Sequence, residues 1–134
     1  MSTASIYHLQ LNSSPVGIRF YRDFFHYLGQ EIFEESDKHL AIRVGGVDIW
    51  IIQTESSHAG RPYHRKAAGL NHLAFRLPSR QEVDRFVREF LEPRGIEPLY
   101  NSPKVYPEYA ADYYAVYFED PDRIKLEVMA LATS

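Results

Sequence analysis

The same succession of apolar and polar positions occurs twice along the chain. HLQLNSSPVGIRFYRDFFHYLG begins at His8, and HLAFRLPSRQEVDRFVREFLEPRG begins at His72. Each segment opens with the period-two alternation of a half-buried strand, passes through a Ser/Pro turn, and continues with the period of an amphipathic helix. Each helix is expected to stop at a glycine, Gly29 in the first segment and Gly95 in the second. This correspondence predicts a duplicated structural unit.

Both predicted helices carry a start signal and one apolar face. Pro15 stands at the first helical position, where its missing N–H costs little, and Ser79 and Glu82 have the spacing of a capping box. Apolar residues then recur at intervals of three and four residues, which predicts a helix face packed on a sheet. They are Val16, Phe20, Tyr21, Phe24, Phe25 and Leu28 in the first helix and Val83, Phe86, Val87, Phe90 and Leu91 in the second.

Three strand-like segments follow each helix. They are approximately 30–35, 39–44 and 47–53 in the first copy and 97–100, 113–119 and 124–129 in the second. The pattern predicts an α+β fold of two β-α-β-β-β units, at about 5–54 and 69–130, with a linker at about 55–68, in a single domain spanning 1–134. We expect a curved, mixed sheet that forms a cup and has its helices on the outside.

Strand parity separates the residues that meet the helices from those on the other, concave face. Side chains alternate across a strand, and the apolar set must pack on the helix. The residues left for the concave face are His8, Gln10, His72, Arg76, Lys125 and Glu127. Polar side chains are expected on such a face where it holds water, an ion or a ligand.

Two imidazoles and one carboxylate of this set suit a divalent metal. His8 and His72 occupy equivalent positions of the two copies, and Glu127 has the matching parity in the last strand. We therefore predict that these three residues bind Zn²⁺, Ni²⁺, Mn²⁺ or Fe²⁺ and leave positions open for water and substrate. The alternative is a pair of hydrogen-bonded structural histidines, which is the commoner situation for a single histidine on a strand.

Composition excludes other kinds of site. The 134 residues include no cysteine, which excludes disulfides and thiolate-based centres. The formal net charge is −3, and the one basic run, Arg61 to Lys66, is short, so we expect neither a nucleic-acid nor a membrane partner. The N-terminus lacks the pattern of a signal peptide and no stretch approaches membrane-spanning length, which favours a cytoplasmic location.

The residues quoted so far resemble the vicinal oxygen chelate superfamily. This superfamily includes glyoxalase I, methylmalonyl-CoA epimerase, fosfomycin-resistance thiol transferases, bleomycin-binding proteins and extradiol dioxygenases. The resemblance extends from His8 to Val128, and its most specific segments are GLNHLAFR (Gly69–Arg76) and YYAVYFEDPDRIKLEV (Tyr113–Val128). It implies the paired β-α-β-β-β fold, a divalent metal on the positions that match His8, His72 and Glu127, and a homodimer.

One position departs from part of the superfamily. Glyoxalase I and the epimerase carry a fourth ligand, Glu or Gln, in the last strand of the first unit. In this chain the alignment of the two hairpins puts Trp50 to Ile52 opposite Glu127, where no carboxylate is found. Gln53 or Glu55 would reach the site only if the strand register were shifted. Three ligands with Trp50 in the cavity wall are closer to the fosfomycin-resistance enzymes.

The resemblance implies an enzyme of the lyase, isomerase or thiol-transferase kind. Its small substrate would chelate the ion through two vicinal oxygens, and Glu127 would act as catalytic base if it leaves the ion during turnover. The alternatives are a non-catalytic binder of the bleomycin-resistance type, whose relatives lack the metal ligands, and a protein in which the ion only stabilises the fold.

Further residues are candidates for substrate binding. The tyrosine-rich segment from Lys104 to Tyr117 is expected to be a loop that runs into the seventh strand, and in the superfamily this region borders the cavity. The candidates are Gln10, Trp50, Tyr106 and Tyr113 for the cavity wall and Arg43, Arg76 and Lys125 for an anionic substrate group. Core packing of the tyrosines and surface ion pairs of the cations are the alternatives.

Overall fold

Strands and helices follow one another in the order that the repeated pattern predicts. The computed structural model describes residues 2–131, and the chain divides into two compact units, the first ending at Pro62 and the second beginning at Tyr63. The first unit contains β1 (His8–Ser13), α1 (Pro15–Tyr27), β2 (Glu31–Glu35), β3 (His39–Val44) and β4 (Val47–Gln53). The second contains β5 (His72–Arg76), α2 (Arg80–Phe86), β6 (Leu99–Val105), β7 (Tyr113–Glu119) and β8 (Lys125–Leu131). The segment between β4 and β5 includes a short 3₁₀ turn, Ser56–His58.

Each unit has its own four-stranded mixed sheet, and the strand order is the same in both. The first sheet has the order β1-β4-β3-β2 and the second β5-β8-β7-β6. The first strand of each unit is parallel to the last, and the other pairings are antiparallel. The predicted duplication of a β-α-β-β-β unit is therefore confirmed.

In the first unit, α1 covers one face of the sheet. The Ser14 hydroxyl accepts a hydrogen bond from the Gly17 N–H at 3.0 Å and caps the helix. The helix buries Ile18, Phe20, Tyr21, Phe24 and Phe25, and the sheet buries Leu40, Ile42, Ile49 and Ile51. Val16 was predicted on this face but is 53% exposed, because the buried face is centred on Tyr21 and Phe24 and Val16 lies to the side of it.

In the second unit, α2 begins at the predicted cap and ends in two irregular turns. The Ser79 hydroxyl accepts from the Glu82 N–H at 3.2 Å. The helix continues through a π-helical turn, Val87–Leu91, and a 3₁₀ turn, Glu92–Arg94. The wider π-helical turn lets both residues at its end, Phe90 and Leu91, stay buried beside Phe86, while Val87 is only half-buried. Neither helix in residues 2–131 has the length and apolar character needed to span a bilayer.

The edge strand β6 differs from its prediction. It was expected at about 97–100, with a loop from Lys104, but it extends from Leu99 to Val105. Tyr100 and Asn101 adopt left-handed backbone conformations, with φ of 61° and 55°, and the register with β7 shifts between Leu99 and Lys104. These two residues interrupt the period-two alternation, so the alternation in the sequence predicts a strand that ends before the observed one does.

Candidate functional site

The side of the second sheet that faces away from α2 carries most of the polar candidates. The strand register pairs His72 with Lys125, and it pairs Glu127 with Ala74 on one side and Tyr117 on the other. Side chains of one parity therefore meet on this side of the sheet. We call it the tyrosine face; it comprises His72, Tyr106, Tyr113, Tyr117, Lys125 and Glu127.

His72 and Glu127 form the centre of the tyrosine face. The Nε2 atom of His72 lies 3.1 Å from Oε1 of Glu127, and the side chain of Glu127 is 1% exposed. The other carboxylate oxygen, Oε2, accepts a short hydrogen bond from the Tyr113 hydroxyl. Both oxygens of this buried carboxylate thus have a partner, as a buried charge requires.

The tautomer of His72 follows from its other neighbour. Nδ1 lies 2.7 Å from the side-chain oxygen of Asn71, which only accepts hydrogen bonds, so Nδ1 carries a hydrogen and donates it. In a neutral imidazole, Nε2 then directs a lone pair at a carboxylate oxygen of Glu127. Two electron-rich atoms at this distance need a cation between them, either a proton or a metal ion.

The spacing of these two atoms fits a shared divalent ion. Zinc–nitrogen and zinc–oxygen bonds of about 2.1 Å, at tetrahedral or octahedral angles, leave two ligand atoms roughly 3.0–3.4 Å apart. Asn71 contacts the imidazole and Tyr113 contacts the carboxylate, each on an atom other than the one facing the partner. Residues in such positions orient metal ligands in known metal sites. Within either unit, residues 2–131 group no three His, Asp or Glu side chains that could hold a metal, so the second unit offers two such ligands.

The tyrosines around Glu127 keep their protons at neutral pH. Burial, followed by the hydrogen bond to Glu127, raises the pKa of Tyr113 far above its ordinary value. Burial and the negative charge of Glu127 likewise raise the pKa of Tyr117. Both phenols therefore remain neutral, and the Tyr113 hydroxyl remains a donor to the carboxylate.

Tyr106 is a buried residue of the tyrosine face. It packs with Ala115, Tyr117 and Met129 in a buried cluster of the tyrosine face. Its hydroxyl is buried as well. The neighbouring Ser102 hydroxyl donates to the Leu99 carbonyl at 2.6 Å and accepts from the Tyr117 N–H at 3.0 Å, which leaves one of its lone pairs for the Tyr106 hydroxyl.

The predicted cations of the second unit lie in different places. Lys125 extends over the tyrosine face, with Nζ 3.1 Å from the Tyr100 hydroxyl and 5.3 Å from the ring centre of Tyr117. Arg76 is exposed at the far end of β5, where it pairs with Met129.

The remaining candidates lie together in the first unit. A shallow pocket on the side of its sheet that faces away from α1 is lined by Tyr7, His8, Gln10, Phe33, Arg43, Asp48, Trp50 and Ile52. His8 is exposed, and its ring contacts Tyr7 edge-on with centres 5.6 Å apart. The charge of Arg43 is paired, since its guanidinium lies 3.1 Å from both Asp48 and Glu31.

Comparison of the two ladders identifies the counterpart of Glu127. His8 pairs with Asp48 as His72 pairs with Lys125, and two residues later Trp50 occupies the place that Glu127 has in β8. The register between β1 and β4 is unbroken, so Gln53 points to the face opposite Trp50. The position of a possible fourth ligand therefore holds an indole.

Sequence reasoning missed three residues of this region. Tyr117 was identifiable, because the turn at Asp120–Arg123 sets the register that pairs Tyr117 with Glu127. Asn71 directly precedes His72 and gives no signal of its own. Tyr100 reaches Lys125 from a left-handed backbone that the sequence does not reveal.

Comparison with known proteins finds relatives along nearly the whole chain, although no protein-family model matches it. The uncharacterized protein YqjT of Bacillus subtilis is 33% identical over 128 residues, which cover 93% of this chain and 98% of that protein. A candidate glyoxalase of known structure from Bacillus halodurans is 32% identical, with a TM-score of 0.82 over 93% of this chain and 94% of its own.

A more distant structure has the same fold and contains a metal. The fosfomycin resistance protein FosX from Listeria monocytogenes, solved with Mn(II) and a sulfate ion, is 22% identical to this chain. The match has a TM-score of 0.62 and covers 99% of this chain and 92% of FosX.

Proposed function

The chain belongs to the vicinal oxygen chelate superfamily, and we propose that it is a metal-dependent enzyme of the lyase, isomerase or thiol-transferase kind. Its substrate is a small molecule that presents two vicinal oxygens. The observation that carries this proposal is the approach of the His72 Nε2 atom to the buried carboxylate of Glu127 at 3.1 Å. An ion between these atoms satisfies both, and their neighbours already hold them in place.

His72, Glu127 and His8 are the proposed ligands. His8 begins β1 as His72 begins β5, and each occupies the first rung of a parallel ladder. His8 acts either in the same chain or in a second copy of it. A bound divalent ion supplies Lewis-acid stabilisation of negative charge on the substrate oxygens.

The chain's own residues supply orientation and charge. Asn71 and Tyr113 hold the imidazole and the carboxylate, and Lys125 presents a cation over the tyrosine face for an anionic substrate group. Glu127 is almost fully buried, and burial strengthens the charge interactions of its carboxylate.

Metal titration of untagged protein stripped with a chelator tests the proposal. Calorimetry with Mn²⁺, Ni²⁺ and Zn²⁺ should detect binding that weakens by about 100-fold or more in His72→Ala and Glu127→Gln. His58→Ala is the matched control, since His58 lies in an exposed 3₁₀ turn. Acetohydroxamate, which chelates through two vicinal oxygens, should then bind the loaded protein only. Absence of metal binding, or equal affinity in Glu127→Gln and His58→Ala, would refute the proposal.

The aromatic pocket of the first unit favours one alternative. Its walls include Phe33 and Trp50, whose rings meet edge-on at 6.0 Å, and such walls suit a flat ligand that is held without catalysis. If metal-free Glu127→Gln still binds a flat ligand in this pocket, that result would favour a sequestering function.

A further inference from the structure

We propose that Tyr100, which lies beside the tyrosine face, is the proton-transfer residue of the site and acts as a phenolate held by Lys125 and Arg65. This inference rests on the function proposed above and assigns a role that the function leaves open. Both oxygens of Glu127 already have partners and its side chain is 1% exposed. A base that meets substrate must be more accessible, and Tyr100 is 48% exposed.

The Tyr100 hydroxyl lies between two cations. Lys125 donates to it from Nζ at 3.1 Å, and the guanidinium of Arg65 lies beside the same oxygen. Arg65 is held in turn by Glu119, with Nη1 and Oε2 2.5 Å apart. Two positive charges at one phenol oxygen stabilise its ionised form, which is the form that accepts a proton.

A single aromatic ring, that of Tyr117, connects Tyr100 with the His72–Glu127 pair. The ring of Tyr117 contacts Tyr100 edge-on at 5.5 Å and His72 edge-on at 5.8 Å. Lys125 stands two residues before Glu127 on β8 and pairs with His72 in the ladder. A substrate at His72 and Glu127 would therefore have the Tyr100 oxygen and the Lys125 ammonium along its edge.

The backbone supports a special role for this residue. Tyr100 and Asn101 are consecutive non-glycine residues with φ of 61° and 55°. Such conformations cost free energy and concentrate at functional sites, where the surroundings enforce them. Here they interrupt the pairing of β6 with β7 at the position from which Tyr100 reaches Lys125.

The electrostatics agree with the geometry. Burial raises the pKa of Tyr100, but the hydrogen bond and charge of Lys125 and those of Arg65 outweigh it and lower the pKa below its ordinary value of 10.0. The charged and titratable groups around the phenol are Lys125 on β8, Arg65 before β5, Tyr117 on β7 and Glu119, which Arg65 binds.

The chemical step is a proton transfer from carbon. The Tyr100 phenolate forms an O–H bond as the C–H bond next to a substrate carbonyl breaks, and the electron pair of that bond moves to the carbonyl oxygen. The product of this half-reaction is an enolate and a neutral phenol. The phenol then returns the proton to the same carbon as the electron pair on the oxygen re-forms the carbonyl, and the phenolate is restored.

The first test reads the ionisation of Tyr100 without metal or substrate. The ultraviolet absorbance of tyrosinate is followed against pH in metal-free wild type, Tyr100→Phe, Lys125→Met and Tyr109→Phe. We expect one tyrosine to ionise before the others, to disappear in Tyr100→Phe, and to ionise at higher pH in Lys125→Met. The control Tyr109→Phe, an exposed residue, should leave it unchanged. Identical titration of wild type and Tyr100→Phe would overturn the proposal.

The second test reads proton transfer. Dihydroxyacetone in deuterium oxide is incubated with Zn²⁺-loaded protein, and exchange of its C–H protons is followed by NMR. We expect exchange to rise with pH along the titration of Tyr100 and to fall about 100-fold in Tyr100→Phe, with acetohydroxamate affinity retained. If acetohydroxamate fails to bind the wild type, the proposed function fails and this inference with it. If it binds and Tyr100→Phe exchanges like the wild type, only the role of Tyr100 fails.

Discussion

At the scale of single residues, the hydrogen bond from Tyr113 to Glu127 is the contact most open to measurement. It serves a carboxylate that is almost fully buried. Tyr113→Phe removes the donor and leaves Oε2 unpaired, so we expect the free energy of unfolding of metal-free protein to fall by about 1–3 kcal/mol in urea denaturation. Tyr109→Phe, which removes an exposed hydroxyl from a neighbouring ring, is the control. Equal stability of the two variants would show that the bond contributes nothing.

Asn71 is the second residue whose effect can be isolated. Its side-chain oxygen fixes the His72 tautomer that presents Nε2 to Glu127. We expect Asn71→Ala to weaken Zn²⁺ binding by about 10- to 100-fold in calorimetry, because the free imidazole loses its fixed orientation. Asn12→Ala, a substitution at an exposed strand residue of the first unit, should leave the affinity unchanged. If Asn71→Ala bound Zn²⁺ with wild-type affinity, Asn71 would not be the residue that fixes the tautomer of His72.

The face that each strand residue occupies could be read from the sequence, while its hydrogen bonds could not. Alternation alone was enough to put His72, Lys125 and Glu127 on one side of the second sheet, and the structure has them there. Alternation does not determine which tyrosine meets Glu127, because that depends on register and rotamer. The metal-binding role of these residues stays a prediction.

At the scale of elements, a hydrogen bond ties β7 to α2. Tyr114 donates to Asp84 at 2.6 Å, and burial followed by this bond raises the pKa of Tyr114 to about 12. Because the pKa in the folded state lies above the ordinary value of 10.0, the contribution of the bond to stability is complete below pH 10 and is lost as pH rises toward 12.

The free energy of unfolding, measured by denaturant titration at several pH values, checks this contribution. We expect Tyr114→Phe to be less stable than wild type at pH 8 to 9, and the difference to shrink between about pH 10 and 12. Tyr7→Phe, at a 76% exposed position, should follow the wild type throughout. A difference that does not change with pH would assign the effect to packing.

Helix starts were predictable because their signals are local. Ser14 and Ser79 cap the two helices with their own hydroxyls, and each accepts from the N–H group three residues ahead. The end of α2 and the course of β6 could not be predicted from the sequence. The π-helical turn at Val87–Leu91 and the left-handed pair Tyr100–Asn101 depend on tertiary contacts.

At the scale of the whole chain, duplication kept the fold and changed the chemistry of one copy. The two sheets share strand order and ladder positions, yet β8 carries Glu127 where β4 carries Trp50. The second unit thus offers a carboxylate beside an imidazole, and the first offers His8 in an aromatic pocket. The pattern of the sequence predicted this asymmetry, since it depends only on residue identity at matched positions.

Whether His8 shares an ion with the second unit can be decided by thermodynamic coupling. We expect the losses of Zn²⁺ affinity in His8→Ala and Glu127→Gln to be non-additive in the double variant by about 0.5–3 kcal/mol, because ligands of one ion depend on each other. Competition with a chelator of known affinity gives the Zn²⁺ affinities of the two single variants and of the double variant. The combination of His58→Ala with Glu127→Gln supplies the additive reference.

A mixture of the two single variants distinguishes the remaining arrangements. If His8 of one copy and Glu127 of another bind the same ion, mixing His8→Ala with Glu127→Gln generates sites that have both ligands, and part of the wild-type affinity returns. If the ion is held within one chain, the mixture behaves as the sum of its parts. Strict additivity in the double variant, together with no recovery on mixing, would remove His8 from the ligand set and leave an ion held by His72 and Glu127.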